Sequence, residues 1–332
     1  MSDLPKGMSD FLAASGWGDA AIEVIPGDAS NRRYFRLKKD DGASDGKAML
    51  MYAPPPEEDP EPFLKVASYL TDQSMRAPAI FASEAAQGWV LLEDFGNDRM
   101  RDWLDDNPDG EMAAYSGAID ALVELHKCDA GPFSPYDMQV YKREADLLTE
   151  WYCPAMKLDV DAAGYASAWE EALAPMLARQ KTGVTVLRDY HAENIMLLGD
   201  PRGGAEQGLI DFQDALVGHP AYDLVSLLQD ARREVSPELE AAMMERYCQQ
   251  ANTDDDFVAD YALLGAQRNA KIVGIFTRLC QRDGKPHYFD YIPRVWEAME
   301  RDLAHPALAP VAAWFDANIP TELRDANGGT IA

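Results

Sequence analysis

At 332 residues, with 47% hydrophobic and 26% charged residues, the chain has the balance of a globular protein with room for two lobes, not of a disordered one. Its formal net charge of −27 repels phosphate backbones and anionic lipid heads, which argues against nucleic-acid and membrane-surface partners. No apolar run approaches the ~20 residues of a membrane helix, the first residues lack the basic and apolar regions of a secretory signal, and the scattered Cys128, Cys153, Cys248 and Cys280 form no C-x-x-C pair, so a reducing cytoplasm is the expected setting.

In chain order, apolar spacing predicts a helix over residues 3–15, closed by Gly16. Strands are expected at 21–25, 34–37 and 48–53, with the turn-rich GDASNRR after the first and DDGASDGK after the second. The proline-rich PPPEEDPEP breaks the chain and leads into a helix carrying Phe63, Leu64, Ala67 and Leu70. Further strands are expected near Ile80–Phe81 and Trp89–Leu92, followed by a boundary at Glu93–Asn97. Beyond it the periodicity turns helical: 111–127, 141–152 and 163–179, then 221–230, 237–250, 257–280, 291–303 and 307–317. A strand–loop–strand block interrupts the helices, with strands at 184–187, 195–198 and 208–211. The expected class is α+β: a small antiparallel β-rich lobe over residues 1–95 and a larger helical lobe over 96–332, with the functional loops at their junction.

That block carries the chemistry. Asp189 and Asn194 lie five apart in the polar loop RDYHAEN, and Asp211 ends the next apolar strand, so a hairpin brings all three side chains to one point. Phosphoryl transfer needs a carboxylate to orient the attacking hydroxyl and hard oxygen ligands for Mg²⁺. Asp189 is the expected base and Asn194 and Asp211 the expected metal ligands. A D-x-x-x-x-N pair arises by chance in so acidic a chain, and Asp211 after a strand also suits a cap. The recurrence of polar loops between apolar strands is what favours the catalytic reading.

These residues resemble the aminoglycoside-phosphotransferase-like branch of the protein-kinase-like superfamily, whose catalytic loop reads H-x-D-x-x-x-x-N and whose metal loop reads I-D-[FW]. Here Leu187 replaces the first histidine, and Pro220–Leu228 continues the match. The resemblance implies a bilobal protein-kinase-like fold using ATP and Mg²⁺, with Asp223 bracing the catalytic loop and His126 packed. It implies nucleotide contacts from Ser30, Asn31, Arg32, Arg33 and Tyr34 over the phosphates, and from Glu93, Asp94 and Phe95 as the hinge that meets adenine. The lysine of the family's third strand is missing from Met49–Ala53, leaving Arg32 or Arg33, or the metal and backbone, to hold the phosphates.

GDASNRRYFRL, MYAPPPEED, LRDYHAEN, IDFQDA and QRNAKIVGIFTRLCQRDGKP together resemble the bacterial anomeric kinases of cell-wall recycling, a group that also lacks that lysine. The resemblance implies phosphorylation of the 1-hydroxyl of N-acetylmuramate or N-acetylglucosamine. Arg188, Arg268, Lys271 and Arg278 are candidate cations for the muramate carboxylate, and His191, Gln213 and Asp214 for sugar hydroxyls. A cationic acceptor such as an aminoglycoside or choline-like alcohol, which the net charge suits, and a nucleotide-binding pseudokinase are the alternatives.

Overall fold

The computed structural model describes residues 4–26, 31–39, 46–180, 182–199 and 206–330. Helix α1 (Met8–Ala14) precedes the strands β1 (Ala21–Ile25), β2 (Arg33–Lys38) and β3 (Lys47–Tyr52). Helix α2 (Glu61–Asp72) follows, then β4 (Ile80–Glu84) and β5 (Trp89–Leu92). The strands form one antiparallel sheet in the order β1-β2-β3-β5-β4, in a register that sets Val24 opposite Phe35, Phe35 opposite Leu50 and Leu50 opposite Leu91.

Alternation along these strands divides the sheet. Phe35, Leu37, Ala48, Leu50, Trp89 and Leu91 pack with Met8, Phe11 and Leu12 of α1. Met51, Val90 and Leu92 face the other way, into the main core with Phe63, Val66 and Leu70 of α2. On that second face β3 presents Met49 and Met51, so the missing lysine is replaced by two thioethers turned toward the helical lobe. The start of α2 is set by Pro60 and Pro62 in its first turn and by the Asp59 carboxylate, which accepts from the Glu61 N–H at 2.9 Å.

The second lobe opens with α3 (Met100–Asp106) and α4 (Glu111–Lys127). Next come α5 (Met138–Ala145), a π-type turn over Leu148–Tyr152, the single turn α6 (Cys153–Ala155) and α7 (Ala162–Arg179). The short strands β6 (Val184–Val186), β7 (Ile195–Leu198), β8 (Glu206–Leu209) and β9 (Leu216–Gly218) follow, then helices α8 (Ala221–Leu228), α9 (Pro237–Ala251), α10 (Phe257–Asp283), α11 (Ile292–Leu303), α12 (Ala309–Asn318) and α13 (Thr321–Asp325). At 27 residues α10 is roughly 40 Å long. Most of its residues are buried, and α5, α8 and α11 pack around it. Gly274 permits that packing: a β-carbon there would stand 2.3 Å from the Leu147 carbonyl carbon.

Several expected elements shift. The first helix starts at Met8. The helix expected over 141–152 begins earlier, at Met138, because Asp137 caps it by accepting from the Val140 N–H at 3.0 Å. It ends at Ala145 and gives way to the π-type turn. The strand expected at 208–211 is β8, ending at Leu209, which leaves Asp211 beyond the sheet with φ 58°. α3, β9 and α13 had no forecast; β9 is three residues long, too short to show a period. His126 is packed, its Nδ1 2.7 Å from the Tyr247 hydroxyl, and burial pushes its imidazole down to about 3. No helix among the described residues is long and apolar enough to cross a membrane.

Candidate active site

Two antiparallel pairs build the site. β6 pairs with β9, Val186 opposite Leu216, while β7 pairs with β8, Ile195 opposite Leu209. The loop leaving β6 carries Asp189 and the loop leaving β8 carries Asp211. Each loop passes from one pair to the other, which brings them side by side. The Ile210 N–H donates to the Asn194 carbonyl at 3.1 Å. Asn194 Nδ2 donates to the Asp189 carbonyl at 3.0 Å and lies 3.4 Å from Asp211 Oδ2. These two oxygens are acceptors, which assigns the amide and turns Oδ1 away from them.

Asp189 is half-open: 44% of its side chain is exposed, yet protein surrounds it on most sides. Burial works against its charge, but Lys271 and Arg268 outweigh it and hold the carboxyl below its usual range. Asp211 moves the other way, raised by burial and by the charge of Asp189. Gln213 Nε2 donates to Asp211 Oδ1 at 3.0 Å. His191 is buried with Nε2 3.4 Å from Asn194 Nδ2, and burial lowers its imidazole, favouring the neutral form.

Asp223, fully buried on α8, accepts from the backbone N–H of Leu187 at 2.6 Å and of Arg188 at 2.8 Å. It fixes the start of the loop that carries Asp189. Three of the cations named from the sequence are engaged internally. Arg188 Nη2 pairs with Glu144, and its Nη1 donates to the Asp214 carbonyl at 3.3 Å. Lys271 Nζ lies 3.1 Å from Glu144 Oε2 and 3.2 Å from the Tyr222 hydroxyl. Arg268 Nη2 donates to Ser226 Oγ at 2.7 Å and stands 3.7 Å from Asp189 Oδ1. Arg278 lies seven residues past Lys271 on α10, about 10 Å along the axis; its charge acts on Asp283. The structure therefore brings Arg188, His191, Gln213, Arg268 and Lys271 to the two loops and sets Arg278 apart.

Ser30 lies outside the described residues. The Asn31 N–H donates to Glu58 Oε1 at 3.3 Å and Arg32 Nε to Glu58 Oε2 at 3.2 Å, so the APPPEED segment anchors the end of the β1–β2 connection. Arg32 also bears electrostatically on Asp211. Arg33 stacks on Phe35 at 5.2 Å, and the Tyr34 hydroxyl lies 3.5 Å from Met51 Sδ. Just past β5, Glu93 forms a two-point pair with Arg76, whose guanidinium covers the Phe95 ring at 4.7 Å.

Arg36 escaped the sequence reading. From β2 it reaches Asp94 Oδ2 at 2.7 Å, Asn97 Oδ1 at 2.7 Å and the Gly96 carbonyl at 2.7 Å, tying the sheet to the hinge. The Asp94 side chain is 2% exposed, so removing the guanidinium leaves a buried carboxylate without its cation, held by the Gly96 N–H at 3.0 Å. Arg36→Met is expected to lower the unfolding free energy by about 3 kcal/mol, read from urea denaturation against wild type.

Residues 21–261 match the model of the phosphotransferase enzyme family. The chain belongs to that family. It is similar to a protein of Caulobacter vibrioides called N-acetylmuramate/N-acetylglucosamine kinase, 38% identical over 95% of this chain and 96% of the relative. One of the same name from Pseudomonas aeruginosa is 36% identical over 91% and 90%. Among solved structures, the phosphotransferase shares its fold with ADP-bound aminoglycoside phosphotransferase APH(2'')-Ib (TM-score 0.61, 12% identity, 94% of this chain and 99% of that one). It shares it also with choline kinase LicA from Streptococcus pneumoniae (TM-score 0.62, 12% identity, 93% and 98%). This phosphotransferase is thus a bilobal α+β enzyme of the small-molecule kinase kind.

Proposed function

We propose that this phosphotransferase uses ATP and Mg²⁺ to phosphorylate the anomeric hydroxyl of N-acetylmuramate or N-acetylglucosamine in peptidoglycan recycling. The convergence of Asp189, Asn194 and Asp211 carries the reading, and the names of relatives matched over nearly their whole length supply the acceptor. Asp189 is open to the cleft and ionised, placed to orient the sugar hydroxyl and take its proton. A hemiacetal hydroxyl is more acidic than an ordinary alcohol, so a carboxylate of low basicity suffices.

The residues present fit a magnesium ion. Asn194 offers Oδ1 because its nitrogen is engaged, and Asp211, raised by burial beside another acid, gains from a cation. Among the described residues no cluster of three or more His, Cys, Asp or Glu is built to hold a metal. Two protein ligands completed by phosphate oxygens and water suit Mg²⁺. When bound, the ion neutralises charge on the phosphates. Asn31, Arg32 and Tyr34 cover the phosphates from the sheet, and the backbone of Glu93–Phe95 faces adenine.

Incubation with ATP and each sugar is expected to consume ATP, and NMR of the product to place the new phosphate on C1. Phosphate on C6 removes the anomeric assignment. The −27 charge suits a cationic acceptor, so turnover of kanamycin or choline without either sugar replaces the amino-sugar reading.

A further inference from the structure

Arg188 is a non-glycine residue at φ 72°. A branched-free side chain in the left-handed region costs roughly 1–2 kcal/mol, and such strain persists only where the surroundings impose it. Three separate elements impose it here. Asp223 on α8 holds the Arg188 backbone N–H at 2.8 Å. Glu144, one residue from the end of α5, pairs with Nη2. The Asp214 carbonyl, three residues past Asp211, accepts from Nη1 at 3.3 Å.

The guanidinium therefore spans from the loop of Asp189 to the loop of Asp211. Glu144 is itself over-determined: 7% of its side chain is exposed, Lys271 stands 3.1 Å from its other oxygen, and the Tyr136 hydroxyl donates to it. Burial works against its charge, but Lys271 and Arg188 outweigh it and keep the carboxyl below its usual range. A fixed anion on a core helix thus aims a planar fork at the junction of two loops that also meet through the backbone carbonyl and side-chain amide of Asn194.

We propose that Glu144 and Arg188 are positioning residues: their pair ties α5 to both loops and sets the distance between Asp189 and Asp211 that phosphoryl transfer requires. The inference rests on the roles assigned to those two aspartates above. It gives the strained arginine a function beside a base it does not replace, and it accounts for a buried ion pair where an apolar contact would be as stable.

The test separates the clamp from the fold. Arg188→Gly relieves the backbone strain but removes the fork and one cation from buried Glu144, so a purely structural role predicts a change in stability with full activity in the folded protein. The clamp predicts a kcat lower by about a hundredfold with the KM for ATP little changed, as expected for misplacement by about 1 Å. Arg188→Lys, which keeps the charge without the fork, is expected to fall between glycine and wild type. Glu144→Gln combined with Arg188→Gly is expected to lose no more kcat than Arg188→Gly alone. Wild-type kcat in Arg188→Lys or in a folded Arg188→Gly overturns the proposal, as does additive loss in the double variant. If Asp189→Ala retains turnover, the parent assignment fails as well; if Asp189→Ala is inactive while Arg188→Gly is not, only the clamp fails.

Discussion

Asp189→Ala is expected to lower kcat by about 10²–10⁴-fold while nucleotide binding persists, because in the proposed mechanism the side chain acts on the acceptor hydroxyl and not on the nucleotide. Asp189→Asn is the sharper version. It preserves shape and the backbone carbonyl that receives Asn194 Nδ2, yet cannot accept the proton as a carboxylate does. Both substitutions remove the negative partner 3.7 Å from Arg268, so the Asn variant also reports whether that cation tolerates isolation. The pH dependence follows from the opposed shifts of the two aspartates. Asp189 is held low by Lys271 and Arg268 despite its burial, so it stays active as pH falls through the ordinary carboxylate range. Asp211 is raised by burial and by Asp189, so it is protonated first on acidification. The Mg²⁺ concentration needed for half-maximal rate should therefore climb as pH falls, before the base itself is lost. Steady-state kinetics across a pH and Mg²⁺ grid measures both. Undiminished turnover in Asp189→Ala removes this residue from the mechanism.

The loops of Asp189 and Asp211 were legible because their geometry is local. Asp189 and Asn194 share one loop between short apolar strands, and the β7–β8 pairing that returns Asp211 needs only the period-2 pattern of its strands. The supports of those loops were not legible. Glu144 meets Arg188 across 44 residues and Arg36 meets Asp94 across 58; no periodicity links an acid on one helix to a loop that distant. The cations on α10 show the same limit from the other side. Their spacing placed Lys271 and Arg278 on one helical face with Arg268 near it, but did not reveal the acids beside two of them, Asp189 at Arg268 and Glu144 at Lys271. The signal available was Glu144 itself, a charged residue among the apolar positions of α5. Burial of such a residue implies a partner.

Asp223→Ala carries the largest expected loss of stability. It strips the acceptor from two buried backbone N–H groups, of Leu187 and Arg188; at about 1–3 kcal/mol each, the unfolding free energy should fall by about 2–6 kcal/mol. Asp223→Asn keeps one acceptor oxygen and turns an NH₂ toward the other donor, so it should lose part of that amount. The carboxylate also has a pH signature. Burial pushes Asp223 up to about 7, against the pull of the two N–H donors. Between the ordinary aspartate range and about 7 the folded chain thus keeps a proton that the unfolded chain has released. Stability from this group is fully present below that window and declines as pH rises through it. The margin of wild type over Asp223→Asn should therefore shrink from the ordinary aspartate range up to about pH 7, measured by urea denaturation at each pH. A margin that widens instead would show that the two N–H groups outweigh burial and that Asp223 is ionised throughout, holding the catalytic loop as a buried anion.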